Sequence, residues 1–281
     1  CAGILSDFIG RKKVLIFAAI LFMISAIGSA LPKTLAQFVI FRMIGGFGVG
    51  AASMVSPLYI AEISPPDVRG RLVSWNQFAI VLGMLIVYFV NCIIAGIGTE
   101  QWNISEGWRW MLGSETLPAL LFLALMFLVP ESPRWLIKQG HIEEGQKILA
   151  AIGGAEHARQ QVEDIRTTMA EEESFLELFR PGRRLILFVG IGLAILQQVT
   201  GINVIIYYAP EIFKNLGASS DSALLQTVVV GVFNLGFTIV AMTYVDKVGR
   251  KPLMLIGATG MGLSLLVFGL AMYFRITATW L

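Results

Sequence analysis

Seven apolar stretches, at about residues 14–31, 35–61, 72–98, 107–129, 184–210, 222–245 and 253–275, divide this sequence of 281 residues. Each is long enough to cross a bilayer core, which takes about 20 residues of helix. Inside hydrocarbon the backbone must satisfy its own hydrogen bonds, so each run is expected to be a helix and the fold class all-α, multi-pass membrane protein. A soluble helical protein with buried helices would need polar faces on most segments. Leu117 to Val129 has none. The composition agrees: 56% hydrophobic and 14% charged residues, with a mean hydropathy of +0.74, sit far from a soluble domain's balance. A net charge of +2 gives no reason to expect a nucleic-acid partner.

The turn DFIGRK, Asp7 to Lys12, is written again as DKVGRK, Asp246 to Lys251. Positive residues mark the cytoplasmic ends of membrane helices. One side of the chain collects Arg11, Lys12, Lys13, Arg69, Arg71, Arg134, Arg183, Arg184, Lys247, Arg250 and Lys251, against Lys33, Arg109, Lys214 and Arg275 on the other. Both hexapeptides are therefore expected in the cytoplasm, each joining an inward-running to an outward-running span. That is a parallel repeat, the organisation of many secondary transporters. Counting spans outward from each copy predicts twelve spans in the intact protein. On this reading residues 1–137 are an N-terminal membrane half lacking its first span and most of its second. Residues 138–180 are a cytoplasmic helical linker with a solvated face, and 181–281 are the first three spans of a C-terminal half. Cys1 and Cys92 match no ligand or redox spacing, and His141 and His157 are expected on the linker surface.

Acid and base recur together on the cytoplasmic side: Asp7 with Arg11, Glu62 followed by Arg69 and Arg71, Glu131 with Arg134, and Asp246 with Arg250. Such pairs are worth about 0 to 1 kcal/mol each when exposed. Several together, joining two rigid bundles, would suffice to bias which side is open. Gly10 and Gly249 are expected to supply the tight turns.

Arg42 lies seven residues into the 35–61 run and should seek an acidic partner. No acidic partner is expected in the other spans, so it is expected on a first span outside this chain, with snorkelling to the outer interface as the alternative. Gly46 and Gly50, at small-xxx-small spacing, are expected to press this helix against a neighbour.

ILQQVTGINVIIYYAPEIF, 195–213, places Gln197, Gln198, Thr200, Asn203, Tyr207 and Tyr208 in one span. On a regular helix Gln197 and Asn203 would point about 120° apart. They converge on one ligand only if the helix loosens near Gly201, and broken helices near the midplane are where transporters bind substrate. The alternative is that these groups bond neighbouring helices. Gln77 and Asn234 add amides on two further spans. Amides donate and accept, which suits a neutral hydroxyl-bearing solute, and aromatic rings offer faces to a sugar.

RMIGG at 42–46, PESPRWL at 130–136, QQVTGINVIIYYAP at 197–210 and the paired GRK turns resemble the sugar porter family of the major facilitator superfamily. SPLYIAEISPPDVRGRLVSWNQFAI and YYAPEIFKNLGASSDSALLQTVVVGVFNLGFT bring the likeness nearest to its proton-coupled, xylose-transporting branch. The resemblance covers essentially the whole chain. It implies alternating access in a twelve-helix, two-half bundle, with Gln77, Gln197, Gln198, Asn203 and Asn234 on sugar hydroxyls and Tyr207 and Tyr208 near the outer gate. It also implies that Arg42 pairs with an aspartate on the first span in proton-coupled members. Arg69, Glu131, Arg134, Asp246 and Arg250 match a cytoplasmic salt-bridge network. One departure stands out: xylose-transporting members carry a glutamine seven residues beyond the first sugar-binding one, where this chain has Met84.

The function expected is transport of a pentose or hexose, by proton symport. A passive facilitator and a non-transporting sugar sensor are the alternatives. The expected partners are the monosaccharide, protons and the lipid of the plasma membrane around a monomer, with no cofactor and no metal. No Ser-His-Asp set, metal cluster or phosphate loop is written in the spans, so an enzyme is not expected. The sequon Asn103-Ile104-Ser105 falls on the outer side.

Overall fold

A computed structural model describes residues 2–65, 68–170, 184–215 and 220–274. Nearly all of them are helical. The elements run α1 (Ala2–Ile9), α2 (Arg11–Ala30), α3 (Leu35–Ile63), α4 (Arg69–Ile97), the short α5 (Glu100–Trp102), a π-helical turn (Asn103–Gly107), α6 (Trp108–Ser114) and α7 (Thr116–Leu128). Then follow α8 (Pro133–Lys138), α9 (Ile142–Gly153), α10 (Ala155–Ala170), α11 (Arg184–Val199), α12 (Ile202–Asn215), α13 (Ser220–Val248) and α14 (Arg250–Tyr273). Seven segments are long and apolar enough to span a membrane, with α5 to α7 forming one and α11 with α12 another. These match the seven apolar runs of the sequence.

Local chemistry sets the boundaries. Thr34 caps α3 by accepting from the Gln37 N–H at 3.3 Å, while the Gln37 side chain reaches back to the Lys33 N–H at 2.9 Å, a variant of the capping box. Ser132 caps α8 by accepting from the Trp135 N–H at 3.3 Å, with Pro133 at the first helical position. Gly10 and Gly249 turn the chain at φ 102° and 89°, so the two GRK hexapeptides share a left-handed glycine immediately before a helix that starts at Arg.

The chain divides into two compact units. The first comprises residues 1–76 and 102–194, the second 77–101 and 195–281. In the first, α2 packs against α3, α6 and α7 around Val14, Leu15, Val55, Tyr59 and Met126. The glycine face of α3 differs from expectation. Gly45 and Gly48 meet Ser25 and Phe22 of α2, whereas nothing lies within 4 Å of a Cβ built on Gly46 or Gly50. The buried line on α3 runs Gly45, Gly48, Val55, Tyr59, the helical phase that shares a side with the core. Small-xxx-small spacing alone did not carry that phase.

Helices α8, α9 and α10 form a small core of their own. Ile137, Leu149, Ala158 and Val162 are buried together, backed by Ile142, Ala150 and Ile165. The charged residues thus make up one face of helices whose other face is packed. His141 is exposed, whereas the side chain of His157 and residues 171–180 lie outside the description.

Candidate functional site

Within the second unit, the span carrying the amides is broken. α11 ends at Val199, Gly201 adopts φ 78°, and α12 begins at Ile202. Glycine tolerates this left-handed conformation without a Cβ penalty. Thr200 closes the end of α11 by donating its hydroxyl to the Gln197 carbonyl at 2.7 Å. The break turns Asn203 back toward α11, where its Nδ2 donates to Gln198 Oε1 at 3.0 Å. The structure therefore brings Gln198 and Asn203 together, and among the described residues no side-chain hydrogen bond engages Nε2 of one or Oδ1 of the other, a donor and an acceptor.

Gln77 lies exposed on α4, Gln197 exposed on α11, and Asn234 half-buried on α13. Among the described residues no side-chain hydrogen bond ties any of the three to the Gln198–Asn203 pair. Tyr207 and Tyr208 are 75% and 60% exposed on α12, one helical turn beyond Asn203. Met84, at the position where a glutamine is expected, is half-buried on α4.

In the first unit Arg42 meets an acid after all. Its Nη1 lies 3.5 Å from Glu115 Oε2, with both side chains half-exposed. The expectation that no acidic residue occurs in the other spans is corrected: Glu115 stands at the junction of α6 and α7, inside the 107–129 run itself. A single carboxylate in so apolar a window barely changes its hydropathy, so the apolar pattern hid it.

The other end of this unit holds a network around the DFIGRK turn. The Arg11 guanidinium donates from Nε and Nη2 to Glu62 at 2.9 Å and from Nη1 to the Ser6 carbonyl at 3.0 Å. It also pairs with Asp7 at 2.8 Å. Ser132 donates its hydroxyl to Glu62 as well. Glu131 accepts the backbone N–H groups of Lys12 and Ser132, both at 2.9 Å. Trp135 donates its indole N–H to the Asp7 carbonyl at 2.9 Å, and Tyr59 its hydroxyl to the Pro130 carbonyl at 2.7 Å. PESPRW thus clasps DFIGRK.

This corrects the pairing suggested by the loops. Glu62 joins Arg11 rather than Arg69 or Arg71, and Glu131 holds backbone rather than Arg134. The reason is geometric: Arg11 at the start of α2 meets the last turn of α3, whereas Arg69 and Arg134 stand exposed at the starts of other helices. Arg69 and Arg134 line a cleft of about 330 Å³ with Leu58, Ala61, Glu62, Gln161, Asp164 and Ile165. Asp246 and Arg250 lie on α13 and α14, but their side chains fall outside the description. Ser132 went unnoticed in the sequence, although a serine before a proline-led helix is a readable cap signal. Among the described residues no group of His, Cys, Asp and Glu could hold a metal ion.

Comparison with known proteins adds independent weight. A family model described as "Sugar (and other) transporter" matches residues 1–280. The chain is 48% identical to the D-xylose-proton symporter of Escherichia coli over 96% of its length and 59% of that protein's. It is 43% identical to the arabinose-proton symporter of Bacillus subtilis, over 99% of the chain and 60% of that protein. With the glucose facilitated diffusion protein of Zymomonas mobilis it shares 38% identity, over 95% of the chain and 58% of that protein. The chain thus spans about three fifths of the length of the curated relatives it matches. Its fold matches the solved xylose transporter XylE from E. coli, partially occluded and inward open, with a TM-score of 0.86 and 46% identity over 98% of the chain and 65% of that structure.

Proposed function

The chain belongs to the sugar transporter family, and from that premise we propose that the intact protein carries a monosaccharide across the plasma membrane by alternating access, coupled to protons. The observation that carries this reading is the Gln198–Asn203 pair at a helix break inside a membrane span. A neutral amide pair that offers a further donor and a further acceptor suits vicinal hydroxyls, and each bond nets only about 0.5 to 1.5 kcal/mol. A handful of such bonds gives an affinity modest enough for release. Gln77, Gln197 and Asn234 would complete the shell, and Tyr207 and Tyr208 would close over the sugar from outside. Met84 removes one hydrogen-bonding side chain from the pentose pattern, so the solute is a pentose or a hexose.

Proton coupling is favoured by the Arg42–Glu115 pair. An arginine inside a span stabilises a nearby carboxylate, and protonating that carboxylate releases the arginine. A passive facilitator is the second reading, supported by the name of the Zymomonas relative. The charged residues Asp7, Arg11, Glu62, Arg69, Glu131, Arg134, Asp246 and Arg250 would form the cytoplasmic latch, four of them as the clasp within the N-terminal half. Among the described residues, Arg69 and Arg134 are exposed cations of that set. The linker would lie in the cytoplasm and the protein act as a monomer.

The test is uptake of radiolabelled D-xylose and D-glucose into proteoliposomes holding the intact protein, with and without an imposed pH gradient. Accumulation that follows the gradient and is lost in Gln198→Ala supports the reading. Equilibration indifferent to the gradient selects the facilitator, and no uptake of either sugar, or of galactose and arabinose, selects a sensor.

A further inference from the structure

Pro210 lies inside α12. Proline has no N–H, so the carbonyl four residues earlier loses its in-helix donor. That carbonyl belongs to Ile206. Within a bilayer such a group must find another partner, and here it does: the Tyr88 hydroxyl donates to it at 3.2 Å. Tyr88 stands half-buried on α4, at i+11 from Gln77 and i+4 from Met84. At 100° per residue all three share one face of that helix.

The neighbouring helix is cut to fit the same ring. A Cβ on Gly231 of α13 would lie 2.9 Å from Tyr88 Cδ2 and 3.0 Å from Leu85 Cδ1. Gly231 is itself buried, so the Tyr88 ring passes over bare backbone to reach α12. We propose that Tyr88 is a positioning residue for the sugar site. Its hydroxyl takes the carbonyl that Pro210 orphans and fixes the α12 segment bearing Asn203, Tyr207 and Tyr208 against the α4 face bearing Gln77 and Met84. This rests on the transport reading only for its consequence, since the hydrogen bond and the proline stand without it.

The experiment compares Tyr88→Phe, Pro210→Ala and the double variant in the intact protein. Phe keeps the ring over Gly231 and removes the donor. Ala restores an N–H to the Ile206 carbonyl, so the hydroxyl becomes redundant. Two readouts are taken: half-saturating D-xylose or D-glucose concentration in proteoliposomes, and backbone hydrogen exchange along α12 in detergent. Tyr88→Phe is expected to raise the half-saturating concentration about two- to tenfold and to speed exchange around residues 206–214. In the Pro210→Ala background both effects should vanish, a non-additivity that general destabilisation would not produce. Equal effects in both backgrounds, or no effect of Tyr88→Phe on exchange, overturn the proposal. Should no sugar be transported, the transport reading falls and the exchange pattern alone decides this one. If Pro210→Ala does not insert, Gly231→Val, which drives the ring off α12, must reproduce the exchange pattern of Tyr88→Phe, and its failure to do so also overturns the proposal.

Discussion

Arg11 and Glu62, 51 residues apart in sequence, meet in a forked ion pair in which the guanidinium and the carboxylate are only 7% and 5% exposed. The Ser6 carbonyl, Asp7 and Ser132 complete their coordination. Breaking a buried pair by removing one partner costs about 3 to 5 kcal/mol, whereas replacing both by apolar groups is often neutral. Glu62→Ala is therefore expected to lower the thermal midpoint sharply in detergent, and Arg11→Met with Glu62→Leu to recover most of the loss. A single variant as stable as the parent would show the pair to be idle.

The two glycine turns are expected to differ despite their shared pattern. Alanine at either position meets a positive φ that L residues rarely adopt, at about 1 to 3 kcal/mol. At Gly10 a Cβ also collides with the Glu131 carboxylate, while at Gly249 the nearest atom is Pro252 Cδ at 3.9 Å. Gly10→Ala should therefore destabilise more than Gly249→Ala in a thermal shift series. The reverse order would mean that the clasp yields readily.

Glu115→Gln keeps the shape of the carboxylate and removes its charge. Its ion pair with Arg42 is half-exposed and 3.5 Å long, so the thermal midpoint should fall little, by about 0 to 1 kcal/mol in stability. Accumulation driven by a pH gradient should be lost while sugar exchange at equal pH persists. Gradient-driven accumulation at the parent level would remove Glu115 from the coupling route.

Asn203→Asp sets an acceptor against the Gln198 oxygen that now accepts at 3.0 Å. The amide must then flip or the pair open, at the cost of a hydrogen bond worth about 0.5 to 1.5 kcal/mol. Sugar affinity is expected to fall about tenfold or more, and further than in Asn203→Ser, measured by tryptophan quenching or equilibrium binding. Equal affinities for the two variants would indicate that the pair does not contact sugar.

The all-helical membrane fold was legible because hydrocarbon leaves a chain few choices: apolar length dictates a helix wherever it occurs, without reference to neighbours. The glycine turns and the break at Gly201 were readable for the same local reason. The amides Gln198 and Asn203 announced themselves as polar groups in an apolar run. What stayed hidden was pairing across distance. Glu62 had Arg69 and Arg71 as nearer candidates in sequence and chose Arg11, and Gly45 and Gly48, rather than Gly46 and Gly50, took the packed face. Glu115 answered Arg42 from a run whose hydropathy concealed it, and Tyr88 served a carbonyl freed by a proline on another helix. Sequence by itself determined which segments cross the membrane, where they turn and where one of them breaks, since those follow from local backbone chemistry. Only the tertiary structure decided which charge meets which and which helix faces touch, because partner choice depends on helix phase and proximity that one-dimensional spacing does not contain.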